Sequence, residues 1–164
     1  PAQCVGYAAF ALGVASFLQR NDRRFKIFMA AECLAYIVHF ALLGRPTAVA
    51  SSTMSLLRSV LSLTTRSIWV ALFVVAANLA LGLALATRPS DWLPLGASCI
   101  GTLALFLLEG VRMRLAMLCG TVLWIVNNVI AGSVGGTALE VVIAAVNIMT
   151  IRRMLREAED MHTG

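Results

Sequence analysis

Charge is what this sequence has least of. Of its 164 residues 13% are charged, against roughly 25% in an average soluble domain. Hydrophobic residues make up 60%, and the mean hydropathy is +0.87. A soluble core cannot absorb that much apolar surface, so the composition excludes an ordinary soluble domain and predicts an all-α, polytopic membrane protein. The apolar runs lack period-two alternation, which excludes a transmembrane β-barrel. Cysteine pairs are missing: Cys4, Cys33, Cys99 and Cys119 stand in no CxxC spacing and read as small buried hydrophobes. No metal motif is present and no cofactor is expected. P-loop, HExxH and Ser/His/Asp constellations are absent, so the chain is not read as an enzyme. Basic stripes interleaved with aromatics are also missing, which excludes nucleic acid as a partner. The first apolar run is followed by its charges rather than preceded by them, so it is not read as a signal peptide, and Pro1 is read as following a removed methionine or a trimmed start.

Seven apolar segments are present, over residues 3–18, 25–43, 47–64, 67–87, 92–108, 114–131 and 136–151. Each is read as one membrane-crossing helix in a single compact bundle. Pro46 and Pro94 suit first helical turns, and Gly44 and Gly132 suit helix ends. The polar tail after residue 151 is expected to be a helical extension that frays. Basic residues then orient the bundle. Arg20, Arg23, Arg24, Lys26, Arg58, Arg66, Arg112, Arg114, Arg152, Arg153 and Arg156 fall at odd connectors, their flanks and the tail, whereas Arg45 and Arg88 fall at even ones. The positive-inside rule places the N-terminus outside and the C-terminus in the cytoplasm. The net charge of +5 is thus read as topology and contact with anionic lipid.

An odd number of crossings invites a search for an internal repeat. A shift of 88 residues aligns helices 1–3 with helices 5–7 without a gap. It pairs Gly13 with Gly101, Arg24 with Arg112, Lys26 with Arg114, Tyr36 with Trp124 and Gly44 with Gly132. The predicted organisation is a three-helix repeat over 1–66, a linker helix over 67–88, and a second repeat over 89–164 with a short cytoplasmic tail. One linker helix between two odd-numbered triplets gives both the same orientation, a known transporter plan.

This layout, with "LWIVNNVIAGS", resembles the SWEET, semiSWEET and PQ-loop superfamily. More narrowly, "SFLQRNDRRFKI", "HFALLGRPTAVASS" and "LWIVNNVIAGSVGGTALE" look like the bacterial inner-membrane family called YgjV, over nearly the whole chain. The superfamily resemblance implies a pocket with an aromatic residue on the second helix of each repeat, here Tyr36 and Trp124. Sixteen residues on, where the superfamily has asparagine, this chain has Ser52 and Glu140. Its helix 1 has Leu18 before Gln19 in place of the proline-glutamine motif. The resemblance therefore carries the fold and the pocket's position rather than a sugar substrate or the proline hinge.

The polar residues inside the apolar runs are the candidates for function, since groups of this kind face a bundle interior or a wet cavity. Glu32 and His39 lie two helical turns apart and share a face with Tyr36. The matching stripe in repeat 2 is Gly120, Trp124 and Asn127, and helix 7 carries Glu140, Ile143 and Asn147. Glu32 and Arg58 fall at about 10 and 12 Å from the same helix ends at ~1.5 Å per residue. They are read as an ion pair, either a structural staple or a gate. His39 and Glu140 fall near one mid-membrane level on opposite repeats, where together they can load and release a proton or bind a polar or cationic solute. Trp69 and Trp92 read as interfacial anchors, Asn78 and Asn128 as packing residues, and His162 as solvated.

The sequence thus points to a small-solute transporter or facilitator that works by alternating access, with one triplet rocking on the other and proton linkage open. Its substrate-binding residues are Tyr36, His39, Ser52, Trp124, Asn127, Glu140 and Asn147. The alternative is a membrane receptor or scaffold of the same fold that binds without transporting. The partners implied are the lipid bilayer and a small molecule, with a homo-oligomer left open.

Overall fold

The computed structural model describes residues 2–44, 46–85 and 89–163. Pro1, Arg45 and Arg88 and the side chain of His162, on which parts of the sequence reading drew, lie outside the described residues. Seven α-helices run in chain order among the described residues: α1 (Ala2–Leu18), α2 (Asp22–Leu42), α3 (Pro46–Thr64), α4 (Ile68–Leu85), α5 (Trp92–Leu107), α6 (Gly110–Ile130) and α7 (Val134–Thr163), with a 3₁₀ turn at Pro89–Asp91. Each coincides with one apolar run. Two of them, α2 and α6, are long and apolar enough to cross a membrane by length and composition; the apolar stretches Gln3–Leu18, Ile68–Ala84 and Trp92–Leu107 are shorter.

Local chemistry sets the helix ends. Asn21 caps α2 by accepting from the Arg24 amide at 3.1 Å. At the far end Gly44 takes φ 64°, and Gly132 takes φ 67° after α6, a left-handed conformation that other residues reach at a cost. Ser133 starts α7, its hydroxyl accepting from the Gly136 amide at 3.3 Å. The tail is the helical extension expected of it. The helix does not break after residue 151 but continues to Thr163. The extension contains Arg153–Glu157 and Arg156–Asp160 at i,i+4 spacing, which supports a solvated helix. Met154 also lies beside Gly110 at the start of α6.

The chain divides into two compact units, Pro1–Thr65 and Arg66–Gly164. In the first, α2 packs on both α1 and α3. Phe17 and Phe25 meet edge-on at 5.2 Å across the α1–α2 turn. In the second, α4 packs on α5, α5 on α6, and α6 on α7, so the helix expected as a linker is part of this unit. An ion pair between Arg66, ahead of α4, and Glu109, behind α5, ties together one end of that helix pair.

Burial recurs with the same spacing as the sequence. Each of the nine buried residues among the described residues of the first unit lands, after a shift of 88, on a buried residue of the second. Among them Phe25 meets Met113, Lys26 meets Arg114, Cys33 meets Thr121 and Ser59 meets Asn147. Large apolar side chains such as Trp69 and Phe73 point outward, as lipid-facing residues do. Many Ser and Thr hydroxyls are satisfied within their own helices; Ser16 donates to the Gly13 carbonyl at 2.7 Å and Ser59 to the Ser55 carbonyl at 2.9 Å. Such back-bonding lets a hydroxyl sit in an apolar bundle without an unsatisfied donor.

Candidate functional site

In the first unit Glu32 and His39 of α2 turn toward α1. A methyl group placed on Gly13 would stand 2.6 Å from Glu32 Oε1, and one placed on Gly6 would stand 2.9 Å from Cε1 of His39. Glycine at both positions makes the room that a carboxylate and an imidazole occupy inside a helix pair. Tyr36 lies between them, its ring 6.4 Å from that of His39 and stacked on Phe40 at 5.6 Å. All three side chains are half-buried.

The α2–α3 face is polar as well. Cys33 is buried, with Glu32, Arg58 and the Ser59 side chain in the neighbourhood of its thiol. One turn from the start of α2, the buried Lys26 Nζ donates to the Ser62 carbonyl at 3.0 Å. That carbonyl lies in the last turn of α3, where main-chain acceptors have no partner within the helix. Ser52 is half-buried on α3 and makes no side-chain hydrogen bond among the described residues.

In the second unit the stripe divides into used and unused groups. Asn147 is fully buried and its Nδ2 donates to the Arg114 carbonyl at 2.9 Å, fastening α7 to α6. Asn128 sits against Gly136, with Oδ1 2.9 Å from where a methyl there would be, in line with the packing role expected of it. These two contacts fix the antiparallel register of α6 and α7, and by interpolation Glu140 lies at the level of Trp124. Among the described residues Glu140 makes no hydrogen bond and no ion pair, although it is half-buried. Trp124 and Asn127 likewise make no side-chain hydrogen bond among the described residues. Trp124 and Glu140 thus lie on one level, with Asn127 one helical turn along α6. Asn78 makes no hydrogen bond among the described residues either, so the packing bond expected of it is not formed there.

Two further residues escaped the sequence reading. Lys26 and Arg114 were counted with the charges that flank the membrane, yet both are buried, Arg114 completely. The signal was their pairing under the 88-residue shift. The physical reason differs between the copies. Lys26 meets an unpartnered helix-end carbonyl, whereas α7 runs on past Thr150, the counterpart of Ser62. Among the described residues no group of three His, Cys, Asp or Glu side chains is placed to hold a metal ion.

Comparison with known proteins agrees with the apolar, outward-facing surface. Residues 1–158 match the family Imp-YgjV, described as a bacterial inner membrane protein. The chain is 37% identical over 163 residues to the inner membrane protein YgjV of Escherichia coli (strain K12), covering 97% of this chain and 88% of that protein. No solved structure matches the chain. The chain belongs to the YgjV family of bacterial inner membrane proteins.

Proposed function

We propose that this membrane protein is a small-solute transporter or facilitator that works by alternating access. The observation that carries the reading is Glu140, a half-buried carboxyl on an apolar helix with no protein partner among the described residues. Leaving an ionisable group without a partner in such surroundings is costly, and groups of this kind mark solute and ion pathways. Trp124 at the same level offers an aromatic face, and one turn away Asn127 offers a carboxamide with no hydrogen bond among the described residues. Tyr36, His39 and Ser52 form the corresponding stripe of the first triplet. Asn147 contributes to the same stripe through the α6–α7 bond that holds it in place. Glu32 and Arg58, gathered around Cys33, act as a gating or stapling pair.

The membrane layout we infer is seven crossings, N-out and C-in, in two parallel triplets of SWEET-like plan. Three observations support it. Basic residues concentrate on odd connectors and the tail. The Arg66–Glu109 pair joins two of those odd connectors at one end of α4 and α5. The burial pattern repeats at the spacing of the sequence repeat.

Uptake of small solutes into proteoliposomes, with and without a proton gradient, tests the function. The expected result is a solute that the wild type takes up and a folded Glu140→Gln variant does not. If no solute moves, but ligands raise the melting temperature of the wild type and not of the variant, the protein is a receptor. If Glu140→Gln alters stability alone, the carboxyl is structural and the reading fails.

A further inference from the structure

The α1–α2 pair of the first triplet is built around a row of ionisable groups. The two helices run antiparallel in steady register. Gly13 faces Glu32, and seven residues along each helix Gly6 faces His39. Halfway between, the buried Ala9 falls at the level of Tyr36. Each acid, phenol or imidazole on α2 thus meets one of the smallest residues on α1. Along the helix the steps are about 6 Å from Glu32 to Tyr36 and about 4.5 Å from Tyr36 to His39 at ~1.5 Å per residue. Each is short enough for a side-chain rotation or one bridging water.

The ends of the row are also placed for exchange. His39 is three residues from Leu42 at the end of α2. Glu32 lies deeper, but the α2–α3 face continues from it with Cys33, Ser59 and the Lys26–Ser62 contact to the first turn of α2. The surrounding charges leave the α1 side neutral. Facing the row, α1 presents Gly6, Ala9, Gly13 and Ser16, none of which titrates; α3 presents Arg58; and Lys26 is directed to a carbonyl.

The second triplet is a built-in contrast. Its equivalents of Glu32, Tyr36 and His39 are Gly120, Trp124 and Asn127, with no acid or base among them. There the helices close instead, and a methyl on Gly120 would lie 3.5 Å from the Ala97 carbonyl oxygen. One triplet has kept a row of proton-exchanging groups at positions where the other has packed backbone.

We propose that the α1–α2 face of the first triplet is a proton path, with His39 and Glu32 as its carriers and Tyr36 as the link between them. A proton taken up by His39 passes to the Tyr36 oxygen or a bridging water. That oxygen gives up its own proton toward the Glu32 carboxylate, which releases it past Cys33 and Ser59. One proton enters, one leaves, and no other reactant is consumed. The inference deepens the transport reading by supplying its coupling ion, yet it stands on the first triplet alone and is tested without solute.

Proteoliposomes carrying an entrapped pH dye and an imposed potassium diffusion potential provide the test. The wild type is expected to move protons faster than protein-free vesicles. Glu32→Gln and His39→Gln each lower the protein-dependent rate at least about tenfold, the scale of losing a positioned proton carrier. Glu32→Asp restores part of the rate, and Glu159→Gln, on the exposed end of α7, leaves it unchanged. Should a variant fail to fold, dicyclohexylcarbodiimide supplies a second readout. In the wild type it blocks the flux and labels the peptide that holds Glu32. A wild-type rate equal to that of empty vesicles, or flux that survives both Glu32→Gln and carbodiimide, overturns the proton path. Glu32-dependent flux with no solute uptake sustains the path and removes the solute pocket.

Discussion

The Lys26 ammonium donates to the Ser62 carbonyl at 3.0 Å, joining the first turns of α2 to the last turn of α3. A cation at a helix C-terminus meets both an orphan acceptor and the negative end of the helix dipole. Burial of a lysine is tolerable there because its charge has a fixed partner.

Lys26→Met keeps the length of the side chain and removes the donor. It is expected to destabilise the protein by about 1–3 kcal/mol, the cost of stranding a buried acceptor. The neighbouring Arg23 is exposed, and Arg23→Gln is expected to change stability by less than about 0.5 kcal/mol. Thermal unfolding in detergent compares the two.

Gly13 and Glu32 are predicted to be coupled. Gly13→Ala places a methyl against the Glu32 carboxylate and is expected to cost about 1–3 kcal/mol, the usual range for overpacking. In a Glu32→Gly background, which places glycine where the second triplet has Gly120, that penalty largely disappears. A double-mutant cycle measures the coupling, expected at about 1 kcal/mol or more. Independent, additive effects would show that the carboxylate does not occupy the space above Gly13.

Two asparagines on facing helices are predicted to behave differently. Asn147→Leu breaks the bond to the Arg114 carbonyl and is expected to cost about 0.6–1.7 kcal/mol, as for other hydrogen bonds between membrane helices. Asn127→Leu removes no side-chain hydrogen bond among the described residues; it is expected to leave stability within about 0.5 kcal/mol and to impair solute uptake. Melting temperatures paired with uptake assays separate the two roles.

The orientation is testable in cells. A fluorescent protein fused to the C-terminus is expected to fluoresce. Alkaline phosphatase is expected to be active when fused after Gly44 and inactive when fused after Thr65. The reverse pattern at either site would break the seven-crossing layout.

The helices were legible in the sequence because each is a continuous apolar run closed by glycine, proline or asparagine. The polar end of α7 was legible as a helical extension from its charge pairs at i,i+4 spacing. That Lys26 and Arg114 fold inward was not legible, because a basic residue near a helix end reads as interfacial. Whether it folds inward depends on the acceptor that a neighbouring helix leaves open. The Glu32, Tyr36 and His39 stripe was visible from its spacing. The surface it meets was not, because helical periodicity gives a face without naming the helix across from it. Gly6 and Gly13 held that information. Asn147 belonged to the right stripe, but its spacing could not reveal that its donor is spent on α6.

The most direct test of solute transport is two-sided access to the Glu140 level. A single cysteine at Asn127, in a chain with its four native cysteines replaced, is to be alkylated by an impermeant maleimide added first to right-side-out and then to inside-out vesicles. Alternating access predicts labelling from both sides, slowed by a transported solute. Labelling from one side alone would contradict transport and leave a binding protein in its place.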